Sequence, residues 1–234
     1  MKNETMNNET MNKVNVVADG ALGDEIKLLM EKSGYAIQSD LSGVDVIVEA
    51  IIADKDQKRS TLIHAAASAP KALILTSTLN ASATEVASWI DQPNRVVGWA
   101  ALPPLEKSKV IEVANPKGLQ DPSGLDRAKV FFESLSREAI TVNDTVGGVL
   151  PRVVANLING AVFAVMEGVA SPRDIDQAMK LGTNYPHGPL EWGDRIGLDQ
   201  VLGIMNALYE AHGERYRPAP LLVQMVQAKK KFYK

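Results

Sequence analysis

The sequence of 234 residues contains no cysteine, which excludes disulfide bridges, thiolate metal sites and a cysteine nucleophile. Histidine is almost as scarce: there are three, and no two of them have the H-x-x-x-H spacing of a helical metal site. Neither sign of charge dominates, because 25 basic and 28 acidic residues leave a formal net charge of -3. A basic stripe that binds nucleic acid is not expected from this balance. We therefore expect neither a metal site nor a nucleic-acid partner.

Long apolar runs are also missing, since no stretch approaches the about 18 apolar residues that cross a bilayer. The first twelve residues, MKNETMNNETMN, lack the apolar centre of a signal peptide and nearly repeat N-E-T-M-N. This pattern predicts a disordered tail over residues 1–12. The hydrophobic content of 45% is sufficient for a substantial core in the remainder. We expect a globular, cytoplasmic protein without membrane contact.

Residues 13–143 alternate short β-branched runs with amphipathic stretches, which predicts an α/β domain with a mainly parallel sheet. The expected strands are Val14–Ala18, Tyr35–Gln38, Asp45–Ala50, Ala72–Thr76, Arg95–Trp99, Val110–Val113 and Ala139–Val142. The expected helices are Asp24–Lys32, Asp56–Ala67, Thr84–Ile90 and Ser123–Ser136.

The second part of the chain, residues 144–234, has the pattern of an all-α domain, and we place the boundary near Asn143. Val149–Gly168 is too long and too uniformly apolar for a strand, so it predicts a buried helix. Ser171–Asp174 predicts a helix start, with serine as the N-cap, proline in the first turn and a carboxylate near the amide end. Two further helices are expected at Leu198–His212 and Ala219–Lys231.

The turn after the first expected strand, A-D-G-A-L-G, contains two of the three glycines of a dinucleotide-binding fingerprint. Gly20 and Gly23 are therefore candidate cofactor contacts. Asp40 follows Gly20 by twenty residues, which is the spacing of a ribose-binding carboxylate. The alternative interpretations are a tight, closely packed turn for the glycines and a surface turn for the acid.

A more specific pattern follows in the second part: A-S-P-R-D-I-D-Q-A-M-K-L-G over residues 170–182 and Y-P-H-G-P-L-E over residues 185–191. Both stretches resemble the C-terminal domain of the 3-hydroxyacyl-CoA dehydrogenases, of which 3-hydroxybutyryl-CoA dehydrogenases are members. The resemblance extends from Val14 to about Ala228. It implies a shortened Rossmann-type domain followed by a helical domain that forms a homodimer. It also implies NAD as the cofactor and an oxidoreductase reaction between 3-hydroxyacyl-CoA and 3-ketoacyl-CoA.

In this family a histidine takes the hydroxyl proton, a glutamate orients the histidine, and a serine and an asparagine hold the substrate oxygen. Matching the family motifs places the serine at Leu79, the histidine at Ala100 and the asparagine at Pro151. Only the glutamate is kept, as Glu112 in K-V-I-E-V. The three replacements cannot transfer a proton, and a histidine base typically contributes about 10²–10⁴ in rate. Ordinary dehydrogenase turnover is therefore not expected.

The resemblance also points to Lys58, in the helix after D-V-I-V-E-A, and to Ser77, at a strand end, as cofactor-binding residues. A solvated helix face and a turn are the respective alternatives. Glu112 is either a remnant of a catalytic site or an acid paired with Arg152 or Lys109, and the two interpretations have equal weight.

The sequence also departs from the family in length. Only residues 41–45 separate Asp40 from the strand that begins at Val46, where the family has several dozen residues that help to hold coenzyme A. His187 lies in a Gly/Pro loop, where an exposed side chain is the main expectation and a substitute base the lesser one.

Three functions remain open from the sequence. The first is a non-catalytic family member that binds a partner, an acyl-CoA or a nucleotide. The second is an NAD-dependent oxidoreductase that acts on a 3-hydroxyacyl-CoA or a smaller hydroxy acid with rearranged catalytic groups. The third is an interaction module that binds no small ligand.

Overall fold

A single seven-stranded sheet forms the first part of the molecule. The computed structural model describes residues 13–119 and 123–233, so the tail expected over residues 1–12 lies outside the described residues. The strands are β1 Lys13–Ala18, β2 Ala36–Ile37, β3 Val46–Ala50, β4 Leu73–Ser77, β5 Val96–Ala100, β6 Val110–Ala114 and β7 Glu138–Thr141. Their order is β2-β1-β3-β4-β5-β6-β7, and only the β5–β6 pair is antiparallel. The mainly parallel sheet is confirmed.

Helices cover the sheet and then form the second part without further strands among the described residues. The first four are α1 Gly20–Lys32, α2 Lys55–Ser68, α3 Ala83–Ala87 and α4 Ser123–Ser134. The other five are α5 Leu150–Met166, α6 Pro172–Thr183, α7 Pro189–Ile196, α8 Leu198–His212 and α9 Pro220–Gln227. The expected Rossmann-like sheet domain followed by a helical domain is confirmed.

Several helix limits differ from those expected. Helix α1 begins at Gly20 rather than Asp24, so the glycine-containing turn is already the first turn of the helix. Helix α9 ends at Gln227 rather than Lys231. Lys229 there has a positive φ of 51°, and the N–H of Lys230 donates to the carbonyl of Met225. This backbone arrangement closes a helix in the manner of a Schellman motif.

One apolar cluster continues from the sheet into the helices, with members such as Trp99, Ile158 and Val201. The indole N–H of Trp192 in α7 donates to the carbonyl of Pro103 at 3.2 Å. Gly203 in α8 lies so close to the loop after β3 that an ideal Cβ would be 2.4 Å from the carbonyl oxygen of Ile52. The two parts are therefore in close contact beside the carboxyl edge of the sheet. Among the described residues, no helix combines the length and apolarity needed to cross a membrane.

Candidate functional site

The candidate site lies at the carboxyl ends of β1 and β3, where the strand order reverses and where α/β sheets usually bind their ligands. The loops that follow these two strands are joined by Asp19. Its carboxylate accepts hydrogen bonds from the backbone N–H of Ile52 at 3.0 Å and of Ala53 at 3.3 Å. Its own N–H donates to the carbonyl of Ala50 at 3.2 Å. The acid therefore acts as a bridge between the loops.

Gly23 has the role of the packing glycine of the fingerprint. An ideal Cβ on Gly23 would lie 2.5 Å from the Cβ of Ala18, which is too short for any side chain. The third glycine of a dinucleotide-binding turn is required for this close packing of helix against strand. This part of the turn therefore keeps the close packing of helix against strand that the fingerprint describes.

Gly20 differs, because the space beside it is occupied. It has a φ of +60°, and an ideal Cβ would lie 1.5 Å from Nε2 of Gln200 in α8. That Nε2 donates to the carbonyl of Asp19 at 3.0 Å, and the Gln200 residue is only 1% exposed. The second glycine normally leaves this space free so that the pyrophosphate can approach the backbone. With the Gln200 side chain in this position, the turn does not fit a bound dinucleotide.

Lys58 and Ser77 belong to a buried network, and Lys58 is not on a solvated helix face. Both residues are 0% exposed. The Lys58 Nζ lies 2.8 Å from a carboxylate oxygen of Glu49 and donates to the carbonyl of Ser77 at 2.5 Å. The hydroxyl of Thr76 donates to the same carboxylate at 2.7 Å. Burial lowers the pKa of the Lys58 amine, and the negative charge of Glu49 opposes this effect.

Asp40 is exposed in a turn three residues after the end of β2. One of its carboxylate oxygens accepts a hydrogen bond from the backbone N–H of Ser42 at 3.0 Å. This local bond is typical of an aspartate that closes a turn. The position agrees with the surface-turn interpretation of this acid.

The positions matched to the family's catalytic residues lie together. Ala100 and Glu112 are directly opposite each other in the β5–β6 pair. An ideal Cβ on Gly148 would lie 3.0 Å from the Cβ of Ala100 and 2.5 Å from a carboxylate oxygen of Glu112. Leu79 is fully buried in the same apolar cluster as Ala100, and Pro151 is buried in the first turn of α5.

The carboxylate of Glu112 binds backbone N–H groups at the start of α5 and not a basic side chain. One of its oxygens accepts from the N–H of Val149 at 2.6 Å, and the other accepts from the N–H of Leu150 at 2.7 Å. Of the two interpretations of Glu112, the structure does not favour an acid paired with Arg152, because the Arg152 guanidinium donates to the hydroxyl of Thr145 at 2.7 Å and to the carbonyl of Val146 at 2.6 Å. A carboxylate at a helix N-terminus is favourable, since the amide end carries partial positive charge.

His187 is 7% exposed, so the expectation of an exposed loop histidine is wrong. Its Nδ1 lies 3.5 Å from a carboxylate oxygen of Glu191, and its ring meets the ring of Trp192 edge-on. Burial lowers the pKa of His187, and the positive charge of Arg195 lowers it further, while Glu191 opposes both. The imidazole is therefore packed against α7 in surroundings that disfavour its protonated form.

Asp176 connects the two motifs of the second part. Its carboxylate accepts from the backbone N–H groups of Leu190 and Glu191, both at 2.8 Å, and from the hydroxyl of Tyr233 at 2.7 Å. An ideal Cβ on Gly188 would lie 2.2 Å from the Asp176 Cγ. Burial raises the pKa of Tyr233, and its hydrogen bond to Asp176 adds to this effect. The motif residues therefore join α6, α7 and the end of the chain.

Two family models match the chain. Residues 33–145 match the 3-hydroxyacyl-CoA dehydrogenase NAD binding domain, and residues 147–234 match the C-terminal domain of the same enzymes. The first match begins after the A-D-G-A-L-G turn, so Gly20 and Gly23 are not part of it.

Curated proteins show the same relationship. The chain is 35% identical over 204 residues to 3-hydroxybutyryl-CoA dehydrogenase of Clostridioides difficile, covering 86% of this chain and 72% of that protein. It is 37% identical over 188 residues to a probable 3-hydroxybutyryl-CoA dehydrogenase of Bacillus subtilis, covering 79% of this chain and 64% of that protein.

Solved structures of similar fold include (S)-3-hydroxybutyryl-CoA dehydrogenase of Ralstonia eutropha. Its TM-score is 0.73 at 25% identity, and the match covers 94% of this chain and 95% of that chain. FadB2 of Mycobacterium tuberculosis has the same fold, with a TM-score of 0.82 at 22% identity over 96% of this chain and 99% of that chain.

Proposed function

The chain belongs to the 3-hydroxyacyl-CoA dehydrogenase family, and we propose that it acts as a binding or interaction protein without the family's dehydrogenase chemistry. The proposal is carried by the surroundings of Glu112. Leu79, Ala100 and Pro151 stand at the matched catalytic positions, and none of their side chains accepts a proton. Both oxygens of Glu112 hold backbone N–H groups of α5.

The reaction of the family removes a proton from a hydroxyl group, so it needs a base within hydrogen-bond reach of that group. The three apolar replacements remove the base and two polar groups that would hold the reacting oxygen. Glu112 does not take over as the base, because its carboxylate is already fixed on α5. This chain therefore supplies none of the family's proton-transfer groups in a usable position.

We predict that turnover of acetoacetyl-CoA with NADH is at least about 10⁴-fold below that of an active family member, because both the base and an oxygen-holding donor are replaced. The measurement is NADH absorbance at saturating substrate, in both directions. The Clostridioides difficile relative, assayed in parallel, is the positive control. Turnover within tenfold of that control would contradict the proposal.

Turnover within tenfold of the control would support the rival function, an NAD-dependent oxidoreductase with rearranged catalytic groups. The rival is favoured by the match to an NAD binding domain and by curated relatives that are named as dehydrogenases. It requires a proton acceptor other than the matched positions, and a pH profile of the rate would report the pKa of that group.

We also propose that the helical domain forms a homodimer. Eight of the twelve exposed large apolar side chains in the described residues belong to residues 144–233, and Val169 and Leu181 are 70% and 78% exposed. Contiguous exposed apolar surface marks protein contacts, and we propose that these side chains contribute to such a surface in the dimer. We expect sedimentation equilibrium to give twice the chain mass for the wild type and a lower mass for the double variant V169D/L181D. A monomeric wild type would contradict the homodimer.

A further inference from the structure

The space beside Gly20 decides whether phosphate groups can reach the start of α1. A helix N-terminus presents free backbone N–H groups, and a glycine without a side chain permits close approach to them. Here Nε2 and Cδ of Gln200 lie 1.5 Å and 2.5 Å from the ideal Cβ position on Gly20. The amide of Gln200 therefore fills the volume through which a pyrophosphate would approach.

Gln200 is held in this position by one end of its amide only. Nε2 donates to the carbonyl of Asp19 at 3.0 Å and lies 3.4 Å from a carboxylate oxygen of Asp19. Oε1 is inaccessible and has no hydrogen-bond partner among the described residues. An unpaired buried acceptor costs about 1–3 kcal/mol, so the closed position of the side chain is only weakly favoured.

From this arrangement we infer that Gln200 is a gate on the dinucleotide site of this chain. A dinucleotide reaches the backbone at Gly20 only when the Gln200 side chain leaves. Part of the binding free energy of NADH then goes into breaking the hydrogen bond between Gln200 and Asp19 and moving the amide. Residue 200 therefore determines the affinity for NADH. The inference concerns binding and does not depend on whether the chain is catalytic.

The test is a fluorescence titration of the full chain with NADH. We expect the Q200A variant to bind NADH with a Kd at least about tenfold lower than that of the wild type, because the Gln200 side chain no longer fills the space beside Gly20. Q224A, which removes an exposed glutamine of α9, is the matched control and is expected to leave the Kd unchanged. An equal or higher Kd for Q200A than for the wild type, including no measurable binding by either, would overturn the inference.

Two further variants separate the gate from a general loosening of the fold. Q200S shortens the side chain but keeps a polar group, so it replaces Q200A if circular dichroism shows that the latter does not fold. Q200M refills the opened space with an unbranched side chain of similar length and is expected to lose the gain. Retention of the gain in Q200M would overturn the inference. ADP-ribose, which has the pyrophosphate but no nicotinamide, is expected to show the same pattern in calorimetry, and a gain confined to NADH would count against the gate.

The outcome of the NADH titration is independent of the outcome of the acetoacetyl-CoA assay. An active wild-type enzyme would contradict the proposed function while leaving the comparison of Q200A with the wild type intact. Conversely, if the wild type is inactive and Q200A binds NADH no more tightly than the wild type, the proposed function stands and the gate is contradicted.

Discussion

Replacement of Asp176 by alanine is expected to lower the free energy of unfolding by about 3 kcal/mol, because one buried and two partly buried donors lose their shared acceptor. Two of the donors are the backbone N–H groups of Leu190 and Glu191 in the first turn of α7, and the third is the hydroxyl of Tyr233. Loss of a helix cap alone typically costs about 1 kcal/mol, and unsatisfied buried groups add to this.

Urea denaturation followed by circular dichroism measures the loss. Q177A is the matched control, since Gln177 is the exposed neighbour of Asp176 in the same helix and is expected to change stability by less than about 0.5 kcal/mol. D176N keeps an oxygen acceptor and is expected to fall between the two. A loss below 1 kcal/mol for D176A would contradict the role assigned to this carboxylate.

Replacement of Lys58 by methionine is expected to cost about 3–5 kcal/mol, because it leaves the carboxylate of Glu49 buried without its charge partner. Both side chains are 0% exposed, and their charged groups lie 2.8 Å apart. The carboxylate would keep the hydroxyl of Thr76 and the N–H of Ile51 as donors, which do not replace a full positive charge.

A double-mutant cycle separates the pair from the packing of its side chains. E49Q/K58M removes both charges and is expected to recover at least half of the loss seen in K58M, since a buried pair often contributes little net stability. The exposed neighbour Arg59 provides the control variant R59M. Equal losses in K58M and in the double variant would show that packing, rather than an unpaired charge, accounts for the effect.

The fold could be predicted from the sequence because its signals are local. Nearly continuous apolar runs predicted β3 and β4, and helical periodicity predicted α8 with both of its limits. Two of the errors, at the ends of α4 and α9, occur where backbone geometry ends a helix before the expected limit. Ser136 and Lys229 have positive φ angles, which no hydrophobic pattern predicts for these residue types.

The candidate site could be predicted only in part, because its decisive contacts join distant residues. The glycines of the first turn are recognisable, but Gln200 follows Gly20 by 180 residues and carries no motif. The partners of Glu112 are backbone N–H groups, which have no signature in the sequence. Lys58 is buried because its partner Glu49 lies on the preceding strand, and a helix pattern alone favours a solvated lysine.

The crowding around Ala100 limits which side chains position 100 of this chain can accept. Ala100 is 2% exposed, and Gly148 and the carboxylate of Glu112 already occupy its neighbourhood. A larger side chain at position 100 would therefore meet Gly148 and Glu112, whose carboxylate holds the start of α5. Substitutions that enlarge this position are expected to disturb the helical part of the molecule as well as the sheet.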